Sequence, residues 1–401
     1  MPTWIVAIAV TLVLQTVTAG MGRLVPVAAP AFTREFGWDQ AWVGYLAAAS
    51  IVGALYPLTA GIGMMHRLGG VRALQISLIV GAASLTLYLV PSIPLALLAS
   101  ICVGLGSGTA NPAGSEVLQR FTPLQHRNLM FSVKQAGVPL GGMIGGLAIP
   151  PLIEAMGWRL AATVVAAVCI GVTLLTWPFQ PRIDPPPEER MRRDWSFRLS
   201  DIFVPLNSLR HGDHLLRASF VGAMLAVPQS GWIIFLVTYL VVALGQSLST
   251  AGLVFAVMQA SSMFGRLFLG WLADRISGMK TLMIAAIGST VATALLGFST
   301  AAWPLWAFLL LAAFSGFVVS GWNGVQIAEI ARRSPPELIG ETAAGGVMFI
   351  FLTNLITPVV FAVFVAATAR YDIAFLVSAG FSLLCLPILY GIDRPIAKPE
   401  R

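Results

Sequence analysis

Charge is what this sequence has least of. Asp, Glu, Lys and Arg make up 10% of its 401 residues, against about 25% in an ordinary water-soluble domain, while 57% of the chain is hydrophobic. A soluble fold is therefore excluded. Cysteine is nearly absent too: Cys102, Cys169 and Cys385 each sit in an apolar run, which leaves no disulfide framework and no metal-ligand spacing. No glycine-rich loop ends in Lys-Ser or Lys-Thr, so nothing in the chain supports ATP-driven pumping, and no nucleophile, base and partner share one depth as an enzyme requires. No cofactor-binding motif is present. Acids are missing from the middle of every apolar run; Glu116, Glu329 and Glu341 all fall near run ends. A site for cations or polyamines would want central carboxylates, so any uncompensated charge at mid-depth is positive.

What the sequence does have is a series of apolar runs of twenty or so residues separated by short polar turns. That is the pattern of a helix bundle in a bilayer, and it differs from the alternating ten-residue segments of an outer-membrane barrel. The pattern predicts twelve spans, at 5–31, 41–64, 71–91, 94–117, 129–151 and 159–178, then 215–242, 249–272, 280–299, 303–328, 342–367 and 372–392. The first run lacks a basic segment before it and is longer than a signal peptide, so it reads as a span. The net charge of +7 invites a nucleic-acid partner, but the placement of the basic residues excludes one. Eighteen of the 24 fall on one side of the predicted spans, and only Arg34, Arg159 and Arg370 on the other. The positive-inside rule makes the first side cytoplasmic and puts both termini there, in a multi-pass protein of a bacterial inner membrane. Residues 1–178 and 215–401 each carry six spans, and 179–214, with Pro185-Pro186-Pro187 and many charges, reads as a cytoplasmic linker. Within it Trp195, Phe197, Leu199 and Ile202 fit either an interfacial helix or a solvated stretch.

The two halves repeat each other. The turn GMMHRLGGVRAL aligns with GWLADRISGMKTL, and GSGTANPAGSEVLQR in the fourth span echoes SGWNGVQIAEIARR in the tenth. GWLADRISGMK resembles the loop signature of the major facilitator superfamily, Gly-x-Leu-Ala-Asp-Arg-x-Gly followed by basic residues, with Ser277 at the second glycine and Gly278 after it. The resemblance covers the whole chain. It implies an all-α membrane protein of twelve transmembrane helices in two pseudo-symmetric six-helix bundles, working by alternating access about a central site. It further implies that Asp274 and Arg275, with Arg67 in the first half, form charge pairs across the cytoplasmic helix ends and gate the protein. His66 stands where the signature has its aspartate; either it titrates in that pairing or it is a solvated loop histidine. Glu116 with Arg120 and Glu329 with Arg333 are each spaced i, i+4 at the ends of the fourth and tenth spans, suited to local ion pairs and to gating alike.

Three basic residues fall inside the membrane. Lys134 lies about 10 Å of helix from Arg127, close enough for its stem to snorkel towards the surface, so positioning competes with substrate contact. Arg23 and Arg266 are deeper, and a central arginine costs about 2.5–3.5 kcal/mol on the mildest insertion scale, so such a residue normally faces a cavity or a partner. Helical rise places Arg266 roughly 12 Å from the cytoplasmic surface, and Asn111 and Asn323 about 13–15 Å from it. Arg23 lies about 18 Å from the opposite surface, so all four converge near the midplane. With Trp232, Gln259 and Asn354 they form the candidate substrate-binding set. SSMFGRLFLGWLAD also resembles the eighth span of monocarboxylate and oxalate/formate-type carriers, whose arginine holds the substrate carboxylate; Ser262 stands where the animal carriers have an aspartate.

The expected function is secondary active transport of a small anion, an organic carboxylate, with a proton or a counter-anion as coupling partner, by a monomer in the lipid bilayer. The alternatives are a multidrug/proton antiporter, favoured by Trp232, Trp322 and the proline-glycine pattern around Pro139, and a non-transporting receptor. The antiporter pattern is incomplete, with Val138 beside Pro139 where that family has glycine and Ser100 in the fourth span where it has arginine.

Overall fold

The computed structural model describes residues 3–59, 67–121, 127–184, 203–212 and 214–392. Most of the linker lies outside them, including Pro185–Pro187, Trp195 and Ile202, as does His66; the side chain of Asn111 is likewise outside the described part. The described residues form thirteen main helices and no strand. They are α1 (Thr3–Met21), α2 (Leu24–Phe36), α3 (Trp42–Thr59), α4 (Gly70–Leu85), α5 (Ile93–Phe121), α6 (Arg127–Thr176), α7 (Leu215–Thr238), α8 (Leu248–Ile276), α9 (Gly278–Gly297), α10 (Leu305–Ser320), α11 (Asn323–Arg333), α12 (Ile339–Thr368) and α13 (Tyr371–Ile392). Ten helical stretches among the described residues are long and apolar enough to cross a membrane, and Trp42–Pro57 is apolar but shorter.

Where helices depart from the expected runs, the cause is local. The first span is interrupted at Gly22–Arg23, upstream of both prolines, and it continues to Phe36, where Gly37 at φ 67° ends it by donating to the carbonyls of Arg34 and Thr33. The 50 residues of α6 would make a helix of about 75 Å, over twice the hydrocarbon thickness. Gly157, at φ 80° and ψ 156°, breaks it. A π-helical turn, Tyr239–Ala243, finishes α7.

Two compact units emerge. The first comprises Met1–Arg198, Ile234–Gln259 and Pro358–Ala367, and the second Leu199–Ile233, Ala260–Thr357 and Thr368–Arg401. In the first, α1 packs along α6, and α3 and α4 along α5. Between α3 and α5 the backbones nearly touch: a side chain on Gly53 would begin 2.0 Å from the Ile101 carbonyl oxygen, and one on Gly104 1.9 Å from that of Ser50. Lipid gives no hydrophobic drive for helices to associate, so such small-residue contacts supply dispersion instead. Within the same unit the Glu154 carboxylate accepts from the Ser249 N–H (2.9 Å) and hydroxyl at the start of α8, and Phe235 stacks on Phe361. Trp158 is buried against Phe32 and Phe36 and donates to Glu35, which also pairs with Arg159. In the second unit α9 packs on α10, α11 and α13 around a core that includes Trp322, Leu282, Ala286 and Cys385.

Candidate functional site

Arg266 follows a close contact between α8 and the end of α10. A side chain on the preceding Gly265 would begin 2.6 Å from the Phe317 Cα, and one on Gly321 would lie 2.9 Å from the Gly265 carbonyl carbon and 3.0 Å from Leu269 Cδ1. A glycine on each side permits this approach, and it sets the Arg266 backbone beside Gly321. The guanidinium Nε is buried without a hydrogen-bond partner among the described residues.

At this contact the tenth span is interrupted. α10 ends at Ser320, α11 begins at Asn323, and the first closed turn after the break is the bond from the Gln326 N–H to the Trp322 carbonyl at 3.1 Å. Two of the carbonyls exposed by the break are answered by side chains. The Trp322 indole donates to Val319 O (2.8 Å) and the Asn323 amide to Ser320 O (3.3 Å). Trp322 is fully buried, so it serves this join and the core. The Ser320 hydroxyl, also buried, has no hydrogen-bond partner among the described residues, and no side chain caps α11.

The other candidates divide between the units. Trp232, in the second, is fully buried and donates its indole N–H to Thr293 Oγ1 at 3.0 Å, which directs it at α9. Asn354 is half-buried in α12. In the first unit Arg23 sits in the α1–α2 interruption against α6, where a side chain on Gly145 would begin 3.3 Å from Arg23 Cβ. Lys134, 1% exposed, extends from α6 to α5: its Nζ donates to Ser115 Oγ at 3.2 Å, and its stem occupies the room left by Gly114. The buried Gln259 lies on Gly142 of α6, where a side chain would meet its amide nitrogen at 2.0 Å. Of the midplane set, then, Arg266 and Asn323 are brought to one contact inside one unit.

Comparison with known proteins settles the class. The family model for the Major Facilitator Superfamily matches residues 9–344 and 219–401. The chain belongs to the major facilitator superfamily. The probable sulfoacetate transporter SauU of Cupriavidus necator is 25% identical over 93% of the chain and 91% of its own length. The 4-hydroxybenzoate transporter PcaK of Pseudomonas aeruginosa is 24% identical over 80% of the chain and 76% of its own length. An uncharacterized MFS-type transporter of Mycobacterium tuberculosis, MT3072, is 25% identical over 71% of the chain, and there the match spans 62% of the relative's length. Among solved structures, a bacterial homolog of the human lysosomal transporter Spinster, inward-facing and unoccupied, superposes with a TM-score of 0.77 at 16% identity, over 98% of both chains. The nucleoside transporter NupG gives 0.73 at 15%, over 99% of this chain and all of the other. At these identities the two structures establish the fold alone.

The superfamily's loop signature has a specific setting here. Asp274 and Arg275 are exposed, the latter with its guanidinium 5.0 Å from the Trp271 ring centroid. Beside them Glu329, 5% exposed, takes Arg333 Nε at 3.3 Å, at the i, i+4 spacing the sequence shows, and also Arg332 Nη2 at 2.7 Å. Its carboxylate lies over Gly278 at the start of α9, where a side chain would begin 2.2 Å from Oε1. In the first half Arg67 is exposed, and Arg120, which follows Glu116 at the end of α5, lies over the Phe121 ring.

Sequence reasoning missed Asp184. It lies in the stretch read as linker, yet it is buried, and its two oxygens accept from the Val71 and Arg72 N–H groups at 2.9 Å each, with Gln180 Nε2 donating at 3.0 Å. It caps α4 from a distant part of the chain. The available signal was a Gly69-Gly70-Val71-Arg72 helix start with no capping side chain of its own.

Proposed function

We propose that this major facilitator superfamily transporter moves a small organic anion, a carboxylate or sulfonate, by alternating access, with Arg266 as the group that grips it. One observation carries the reading: a guanidinium deep in the eighth span whose Nε is buried without a partner among the described residues. A cation inside a membrane span with no acid paired to it among the described residues is costly, and a substrate carrying the opposite charge lowers that cost. Guanidinium geometry suits a carboxylate or sulfonate, which takes two parallel hydrogen bonds. The reading is supported by SauU and PcaK, whose names denote substrates bearing a carboxylate.

Twelve spans complete the proposal, with Gly157 dividing α6 into two, α10 and α11 together forming one, and the short α3 counted. Both termini then lie in the cytoplasm of a bacterial inner membrane, on the side that gathers most of the Lys and Arg. Without a central carboxylate to relay protons, coupling is by a proton that travels with the anion or by anion exchange. Asp274, Arg275 and Glu329 gate the cytoplasmic ends. Uptake of labelled 4-hydroxybenzoate, benzoate and sulfoacetate into proteoliposomes, with and without an imposed pH gradient or internal anion, is the test. Saturable uptake of at least one is expected, with no competition from organic cations. A cation or neutral dye that competes as well as any anion would overturn the reading in favour of drug efflux.

A further inference from the structure

Resting on that reading, we infer that the break between α10 and α11 is the second half of the anion site. The Ser320 hydroxyl and the first N–H groups of α11, at Asn323, Gly324 and Val325, hold the oxygens of the anion that Arg266 grips.

Breaking a helix inside a membrane frees carbonyls at one end and N–H groups at the other, and in lipid each must find a partner. The carbonyls of Val319 and Ser320 have side-chain donors, Trp322 Nε1 and Asn323 Nδ2. The N–H groups ahead of the first closed turn of α11 have no side-chain cap, and the residue that enters the break, Ser320, carries a buried hydroxyl with no partner among the described residues. Among the groups the break leaves over are these donors.

Electrostatics point the same way. A helix of eleven residues such as α11 carries about half a positive charge at its N-terminus. The Gly265–Gly321 contact sets the Arg266 backbone beside that end, so the residue that carries the full positive charge stands next to the partial one. The acid on α11 itself, Glu329, is engaged by Arg332 and Arg333 two turns further along. Two like charges brought together without an acid call for an anion, and half-helix N-termini near the bilayer midplane are suited to one. The chemistry selected is a compact oxyanion with at least two acceptor oxygens, one for Arg266 and one for the amides and Ser320. A side chain built on Gly324 would meet nothing within 4 Å, so the helix face at that residue is open.

The experiment is thermal unfolding of the purified full chain in detergent, titrated with benzoate, 4-hydroxybenzoate or sulfoacetate against chloride at equal ionic strength. It compares wild type, Arg266→Gln, Ser320→Ala and Ser320→Asp. For wild type, at least one of the three raises the melting temperature with concentration. Ser320→Ala, which removes one donor to a charged oxygen, weakens the apparent Kd by roughly tenfold. Ser320→Asp places a tethered carboxylate in the cradle: its ligand-free melting temperature rises above that of Ser320→Ala, and added anion no longer stabilises it. If Arg266→Gln abolishes ligand stabilisation while both Ser320 variants keep the wild-type Kd, the helix break takes no part and this inference falls, with the transport reading intact. If wild type is neither stabilised by the three anions nor takes them up, the anion reading falls and carries this one with it.

Discussion

Two helix N-termini in this protein meet opposite treatment. At α4 a buried carboxylate, Asp184, arrives from more than a hundred residues away and accepts two backbone N–H groups. At α11, inside the other unit, no side chain caps the helix, and the backbone of Arg266 lies beside the break that precedes it. The first end is closed by the chain itself, as folding stability demands. The second keeps its donors for something outside the chain. A membrane protein has few polar groups at its disposal, so where it withholds one is as informative as where it places one.

The sharpest way to break the comparison is at Arg266. Arg266→Lys keeps the charge but loses the planar fork, and transport of the preferred anion is expected to fall roughly a hundredfold, about 2.7 kcal/mol, with the melting temperature little changed. Normal uptake by this variant in proteoliposomes would sink the assignment. Next in size is the closed end. Asp184→Ala strands two N–H groups, and a loss of about 2 kcal/mol is expected in thermal or denaturant unfolding, with Asp184→Asn recovering part of it. A neutral Asp184→Ala would mean that water caps α4 equally well, and the contrast with α11 would dissolve. Glu329→Gln comes third, since it removes the carboxylate shared by Arg332 and Arg333 next to the start of α9. A loss of about 1 kcal/mol in stability is expected, together with a changed balance of inward- and outward-accessible states, read by cysteine labelling from each side. The smallest effect belongs to Asn323→Ala, which removes the amide that answers Ser320 O. A few-fold loss of affinity is expected, with a shift in preference among the three test anions. Equal losses for all three would make Asn323 a purely structural tie.

How much of this was legible in the residues differs from feature to feature. The helical character, the apolar runs and the membership of the superfamily follow from composition and the GWLADRISGMK signature, because burial in lipid imposes a hydropathy pattern that no folding detail can hide. Arg266 could be singled out for the same reason, since an arginine stands out from an apolar run, and its role in gripping the anion is the proposal. The i, i+4 partner of Glu329 was legible from helical periodicity, whereas Arg332 at i+3 joined it only in the fold. The roles of Trp232, Lys134 and Trp158 were not, because each rests on a partner far along the chain: Thr293, Ser115 and Glu35.

The sequence by itself determined that this is an all-helical membrane transporter with an arginine, and no acid, in the middle of its apolar runs. These properties are sums over local residue types, and water and lipid sort such sums before any long-range contact forms. Only the tertiary structure decided that the tenth span breaks beside Arg266 while the echoing fourth span stays continuous, although both carry glycines and an asparagine. The break depends on Gly321 meeting Gly265 across two helices and on Trp322 and Asn323 turning back to the freed carbonyls. Those are distances between segments that chain order does not encode.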